Sequence, residues 1–330
     1  MIGKFVLVLV ALVVIVAIPI AVVLAFGPRE PVDETITFDA THLDGDLDAY
    51  LVDQEQTIAN LIPGAAKHIV WRDPQSKQPT PVSLVYLHGF SATLEETRPM
   101  PDLIAEALDA NLFYSRLNGH GRDGAALAQA TVNDWFNDTV EALAIGRKIG
   151  QKVVVIAVST GATFATWAAT RPELMRDIAG VVLISPNYGV NNSASRLLTL
   201  GAARYWVPLI AGAERSFETV NAEHAKWWTS SYPTVALLPM MASVAHSSEL
   251  KLESISTPAL FIYHPHDAVV RSDISEQFAN RWGADTGTSA TIFEVTEAED
   301  RFNHVIAGRI LSPANSKPLA ERAVDWINGL

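Results

Sequence analysis

Val153-Val154-Val155-Ile156-Ala157-Val158-Ser159-Thr160-Gly161 is the stretch from which the fold can be read. Six apolar residues, most of them β-branched, suit a strand buried on both faces. The small residues that follow lead at once into Ala162–Thr170, which reads as a helix. A buried strand running straight into Ser-x-Gly and then into a helix is the context of a nucleophile elbow. The tight turn pushes the serine hydroxyl out at the top of the sheet, where a base and a carbonyl carbon can both reach it. Ala157 stands where glycine is usual, and it is the next smallest residue. Ser-x-Gly alone is a common pattern whose plain reading is a helix N-cap serine. Strand before and helix after give Ser159 its chemical reading, with the unpaired N–H groups of the helix start available to a developing oxyanion.

On either side of this stretch, apolar runs alternate with amphipathic segments, as in a parallel sheet covered on both faces. The strands predicted are Val82–Leu87, Leu112–Arg116, Val153–Val158, Gly180–Ile184, Ala259–Tyr263 and Thr291–Val295. Helices fall at about Met100–Leu108, Val132–Ile149, Ala162–Thr170, Ser272–Trp282 and Leu319–Asn328. This is a doubly wound α/β order, which places its sites in loops at the carboxyl ends of strands. Upstream, Asp46–Leu61 has helical spacing, while Thr35–Phe38 and His68–Trp71 read as short strands. Residues about 187–257 carry many aromatics but no convincing strand, and read as a helical cap inserted over the sheet.

Chemistry concentrates at the predicted strand ends. In His88-Gly89-Phe90-Ser91 the glycine permits a sharp turn that can aim the next N–H into the site. The backbone N–H groups of Phe90 and Thr160 are the oxyanion donors expected. His88 reads as a residue that holds this loop by packing and hydrogen bonding. An acid and a base should follow the serine in the order Ser, Asp or Glu, His. Asp267, after Ala259–Tyr263, and His304, after Thr291–Val295, meet that requirement as orienting acid and general base. Asp285, Glu297, Glu299 and Asp300 are rivals for the acid, and His264 or His266 for the base. His264-Pro265-His266-Asp267 contains metal-ligand types but lacks a further ligand cluster, which argues against zinc. No metal or cofactor is expected. Asn118-Gly119-His120-Gly121-Arg122 reads as a structural turn, and Trp135 and Phe136 as packing residues.

Composition narrows the function. A formal net charge of -12 and a pI near 5.2 argue against nucleic acid, which needs clustered Lys and Arg. The chain has no cysteine, so disulfides, a thiolate nucleophile and Cys-ligated zinc are excluded. From Phe5 to Phe26 about 22 residues pass without a charge. At about 1.5 Å per residue that length crosses a bilayer core of roughly 30 Å. Residues 1–26 therefore read as a transmembrane anchor rather than a cleaved signal, because no small-x-small site precedes Gly27. Residues 27–34 read as a stiff polar stalk and 35–330 as the catalytic domain. Lys4 before the span weakly favours a cytoplasmic N-terminus, which puts the domain in the periplasm or outside the cell.

Leu87-His88-Gly89-Phe90, Asn118-Gly119-His120-Gly121, Asp134-Trp135, Val158-Ser159-Thr160-Gly161, Asp267 and His304 together resemble the α/β-hydrolases of the bacterial carboxylesterase and monoacylglycerol lipase group, also classed with serine aminopeptidase-like hydrolases. The resemblance covers about Val82 to Leu330. It implies an α/β-hydrolase fold, a Ser-Asp-His triad at Ser159, Asp267 and His304, an oxyanion hole at Phe90 and Thr160, and a variable lid over an apolar acyl pocket. Ala157, and Ala162 where a second glycine often follows the elbow, depart from the group's pattern. The expected activity is hydrolysis of carboxylic esters, with an apolar or lipid-like ester as substrate. A peptidase, amidase or thioesterase on the same residues, and a hydrolase-fold binding module without activity, are the alternatives.

Overall fold

Alternating apolar residues along the strands give the sheet two hydrophobic faces, and helices cover both. The computed structural model describes the backbone from Ile2 to Leu330 and side chains from Val14 onward. Helix α1 (Ile2–Phe26) and α2 (Leu47–Glu55) precede β1 (His68–Val70), β2 (Thr80–Leu87), α3 (Met100–Ala107), β3 (Asn111–Tyr114), α4 (Gly124–Leu127), α5 (Val132–Ile149), β4 (Gly150–Val158), α6 (Thr160–Ala169) and β5 (Ile178–Ile184). Next come α7 (Ala203–Ala211), β6 (Glu214–Ser216), α8 (Ala222–Trp227), β7 (Ser231–Pro233) and α9 (Leu237–Ser247). The chain ends with β8 (Ala259–Tyr263), α10 (Ser272–Arg281), β9 (Ala290–Glu294) and α11 (Pro313–Ile327).

The seven-stranded sheet has the order β1-β3-β2-β4-β5-β8-β9. Only the edge strand β1 is antiparallel to its neighbour. Strand β4 lies at the centre and shows the two-faced pattern directly. Val153, Val155 and Ala157 join the core with Trp135 and Phe164 from α5 and α6, while Val154, Ile156 and Val158 face Ile104 of α3 and Leu319 of α11. This is the period-2 alternation of a strand with both faces buried. Helix α5 begins with a capping box, in which Thr131 and Asp134 each accept the other's backbone N–H.

Several expectations change. Thr35–Phe38 is not a strand: Asn137 on α5 accepts the N–H groups of Thr37 (2.7 Å) and Phe38 (2.9 Å), so those donors are taken and unavailable for strand pairing. Helix α2 stops at Glu55 rather than Leu61, where the carboxylate turns inward to pair with Arg116 (2.8 Å). The segment over the sheet is not wholly helical, because β6 and β7 form a two-stranded antiparallel sheet within it. Its last helix, α9, packs on α5 and α6.

Among the described residues no helix is long and apolar enough to cross a membrane. The span expected over residues 1–26 lies in part outside the described side chains. Residues 27–34 do not project as a free stalk. Glu30 pairs with Arg204 on α7 (2.6 Å), and Glu34 accepts from Trp167 (2.8 Å) and meets Arg171 and His246. The end of α1 abuts the same region, where Gly201 and Ala202 donate their N–H groups to the Leu24 and Pro28 carbonyls (2.8 and 2.6 Å).

Candidate active site

Ser159 sits at the junction of β4 and α6 with φ 50° and ψ -116°, a conformation that costs a side-chain-bearing residue energy. The turn is held from several sides: Ser159 N–H donates to the Ile184 carbonyl (2.9 Å), and its own carbonyl accepts from Asn187 (3.1 Å) and Ala162 (3.0 Å). Gly161 is needed for close approach. A Cβ there would lie 2.5 Å and 2.6 Å from the carbonyl oxygens of Leu87 and His88.

The structure brings Ser159, His304 and Asp267 together, with 6 %, 8 % and 4 % of their surfaces exposed. His304 Nδ1 lies 2.7 Å from Asp267 Oδ2, and its Nε2 lies 3.1 Å from Ser159 Oγ. A carboxylate can only accept, so the Nδ1 proton donates to Asp267 and Nε2 is left to accept from the serine hydroxyl. Asp267 is itself fixed, its Oδ1 accepting the N–H groups of Val269 (2.7 Å) and Val270 (2.9 Å). Burial opposes charge on His304, yet Asp267, with Glu96 and Asp300 farther off, more than offsets this and holds its pKa above the ordinary 6.5.

The rivals are engaged elsewhere or point to solvent. Asp300 accepts the backbone N–H groups of Phe302, His304 and Val305 (3.2, 3.0 and 3.0 Å), and so shapes the loop that carries the histidine. Asp285, Glu297, Glu299 and His266 are exposed. His264 accepts from the His266 N–H at Nδ1 (3.0 Å) and lies 3.2 Å from the Thr296 carbonyl at Nε2. His88 accepts from the Leu117 N–H (3.1 Å) and donates to the Gly89 carbonyl (2.9 Å). Burial pushes its pKa down to about 4, so it is a neutral brace of the loop.

Neither the Phe90 N–H nor the Thr160 N–H has an acceptor among the described residues. Phe90 follows Gly89, whose Cβ position lies 3.0 Å from Ser159 Cβ, and Thr160 directly follows Ser159. The inserted segment closes over this loop: Thr229 N–H donates to the Ser91 carbonyl (2.7 Å), and the Tyr232 ring meets Phe90 edge-on at 5.6 Å. Asn187, after β5, was not singled out from sequence. It donates to Thr160 Oγ1 (3.2 Å) and lies 3.5 Å from Met240 Sδ, while its Oδ1 is buried without a partner. Met240 also lines a cleft of about 430 Å3 with Leu198, Trp206, Val207, Leu237 and Met241, although Ser159 itself is not on its wall.

A hydrolase family described as serine aminopeptidase, S33, matches residues 83–295 of this chain and stops short of His304. The chain is 26% identical over 190 residues to a thermostable monoacylglycerol lipase from Bacillus sp. (strain H-257), covering 58% of this chain and 72% of that protein. A structure reported with the metagenome-derived lipolytic enzymes LipS and LipT superposes with a TM-score of 0.64 at 21% identity, over 82% of this chain and 100% of the other. A monoacylglycerol lipase from Paleococcus ferrophilus gives 0.55 at 15% identity, over 80% of this chain and 98% of the other. These likenesses show the α/β-hydrolase fold.

Proposed function

Because this chain belongs to the serine aminopeptidase S33 family of hydrolases, we propose that it cleaves carboxylic esters with an apolar acyl group through an acyl-enzyme on Ser159. The observation that carries this is the Ser159–His304–Asp267 hydrogen-bond chain, with the Phe90 and Thr160 N–H groups left without acceptors among the described residues. Ser159 Oγ attacks the ester carbonyl while His304 Nε2 takes its proton. Asp267 holds the tautomer and stabilises the imidazolium. The Phe90 and Thr160 N–H groups receive the oxyanion. Collapse expels the alcohol, which takes the proton from His304. Water, activated by the same histidine, then releases the acid and restores the serine.

The likeness to a monoacylglycerol lipase supports a lipid-like ester. The family's aminopeptidase description favours a second reading, cleavage of an aminoacyl amide through the same tetrahedral intermediate. Replacing Ser159 with Ala should lower kcat on short p-nitrophenyl esters on the order of 10^6-fold and abolish labelling by a fluorophosphonate. Labelling that survives the substitution would refute the assignment, and a comparison of ester with aminoacyl amide substrates decides between the two readings.

The proposal extends to a single-pass anchor formed by the N-terminal helix, with the hydrolase domain on the extracytoplasmic side. Ile15, Val16, Ile18 and Ile20 of α1 are exposed, which supports contact with lipid. On the neighbouring α7, Leu209 and Ile210 are 83% and 71% exposed and extend the same apolar surface.

A further inference from the structure

Glu96 is a buried carboxylic acid that the mechanism above leaves unused. It lies between β2 and α3 with 2 % of its surface exposed, and no cation pairs with it among the described residues. Its neighbour Glu95, by contrast, is held by Arg98 (3.3 Å) and Arg309 (2.8 Å). Burying an acid without a counter-ion is costly, and such groups gather at functional sites.

Its contacts show what it does. Glu96 Oε2 accepts the Gly89 N–H at 2.6 Å, while its other oxygen has no hydrogen-bond partner among the described residues. The next peptide, which carries the Phe90 N–H, is fixed at its carbonyl by His88 Nδ1 (2.9 Å) and by the Ala92 N–H (3.3 Å). Glycine has the widest choice of backbone angles, so an anchor on each side of Gly89 decides where the Phe90 N–H points. A Cβ built on Gly89 would lie 2.7 Å from Glu96 Oε1 and 3.0 Å from Ser159 Cβ. The free carboxylate oxygen and the serine side chain therefore flank the same face of this glycine.

We propose, on the reading of Ser159 and His304 as nucleophile and base, that Glu96 is a positioning residue for the reaction: its carboxylate aims the Gly89–Phe90 arm of the oxyanion hole and is a second counter-charge, after Asp267, for the imidazolium formed on His304. Burial pushes the Glu96 carboxyl up to about 7, against the Gly89 hydrogen bond and the His304 charge, which pull it down. Around it, Tyr86 on β2 is buried and neutral, with its pKa raised well above 10.0 by burial. Glu95 is compensated by Arg98 and Arg309, and Asp267 and Asp300 act on His304. Each group thus favours the charge on the other, the carboxylate favouring the imidazolium and the imidazolium the carboxylate.

Glu96→Gln keeps an acceptor for the Gly89 N–H but cannot ionise. A negative charge near His304 raises the imidazole pKa, so its removal moves the acid limb of the kcat/KM profile to lower pH. The expected shift is about one unit, with kcat at the plateau lower by about tenfold. Glu96→Asp keeps the charge on a shorter arm, and should lower kcat while leaving the acid-limb midpoint within a few tenths of a unit of the parent's. It serves as the test if the Gln variant does not fold. A Gln profile that superimposes on the parent's, or an Asp midpoint displaced as far as a lost charge would move it, overturns the inference. Fluorophosphonate labelling of the parent, lost in Ser159→Ala, separates that failure from failure of the underlying serine mechanism.

Discussion

Asp267 spends one carboxylate oxygen on His304 and the other on the N–H groups of Val269 and Val270, so its orientation is fixed before any substrate arrives. An amide in its place would keep the shape but offer His304 an N–H, favouring the wrong tautomer. Asp267→Asn is accordingly expected to lower kcat by about 10^4-fold with little change in folding, and steady-state kinetics beside a thermal melt would show it. A loss below tenfold would mean that another acid orients the imidazole. Ser159, Asp267, His304, Phe90 and Thr160 could be placed together from sequence because each follows a recognisable apolar strand, and a parallel sheet gathers those ends on one edge. Glu96 and Asn187 gave no such signal. Their contacts arise only when the loops after β2 and β5 close around Gly89 and Thr160.

The elements buried on both faces were the legible ones, since β-branched runs such as Val153–Val158 have few alternatives to a central strand. Those whose limits depend on distant side chains were not. Helix α2 ends at Glu55, whose side chain turns inward to meet Arg116, with the two side chains only 6 % and 5 % exposed. Glu55 also accepts the Lys67 N–H (3.1 Å). Likewise, Asn137 on α5 takes the backbone groups that would have made Thr35–Phe38 a strand. Nothing in the local pattern of either segment records a partner that far along the chain. Glu55→Ala would strand the Arg116 guanidinium in the interior, and should cost about 3–5 kcal/mol. A denaturant titration followed by tryptophan fluorescence measures this, and a change below 1 kcal/mol would show that water reaches the arginine.

At the scale of the molecule, α1 adjoins the segment inserted between β5 and β8, while the sheet and its helices stand behind. On the anchor proposed above, a chain lacking residues 1–26 should leave the membrane fraction while keeping at least half of its activity on short soluble esters, because among the described residues Ser159, His304 and Asp267 make no hydrogen bond to that helix. Retention in the membrane fraction without the helix would overturn the anchor. The stretch from Gly27 to Glu34 bears on movement as well as on attachment. Glu30 is tied to Arg204 on α7, and Glu34 to Trp167 on α6 and His246 on α9. Four peptide units run between those ties, at most roughly 14 Å when fully extended. This stretch is a leash: with both ties intact, α7 and the sheet can separate only by the slack it holds. Parting them further requires release at one end: Glu34 from Trp167, Arg171 and His246, or Glu30 from Arg204 together with the Gly201 and Ala202 hydrogen bonds to Leu24 and Pro28.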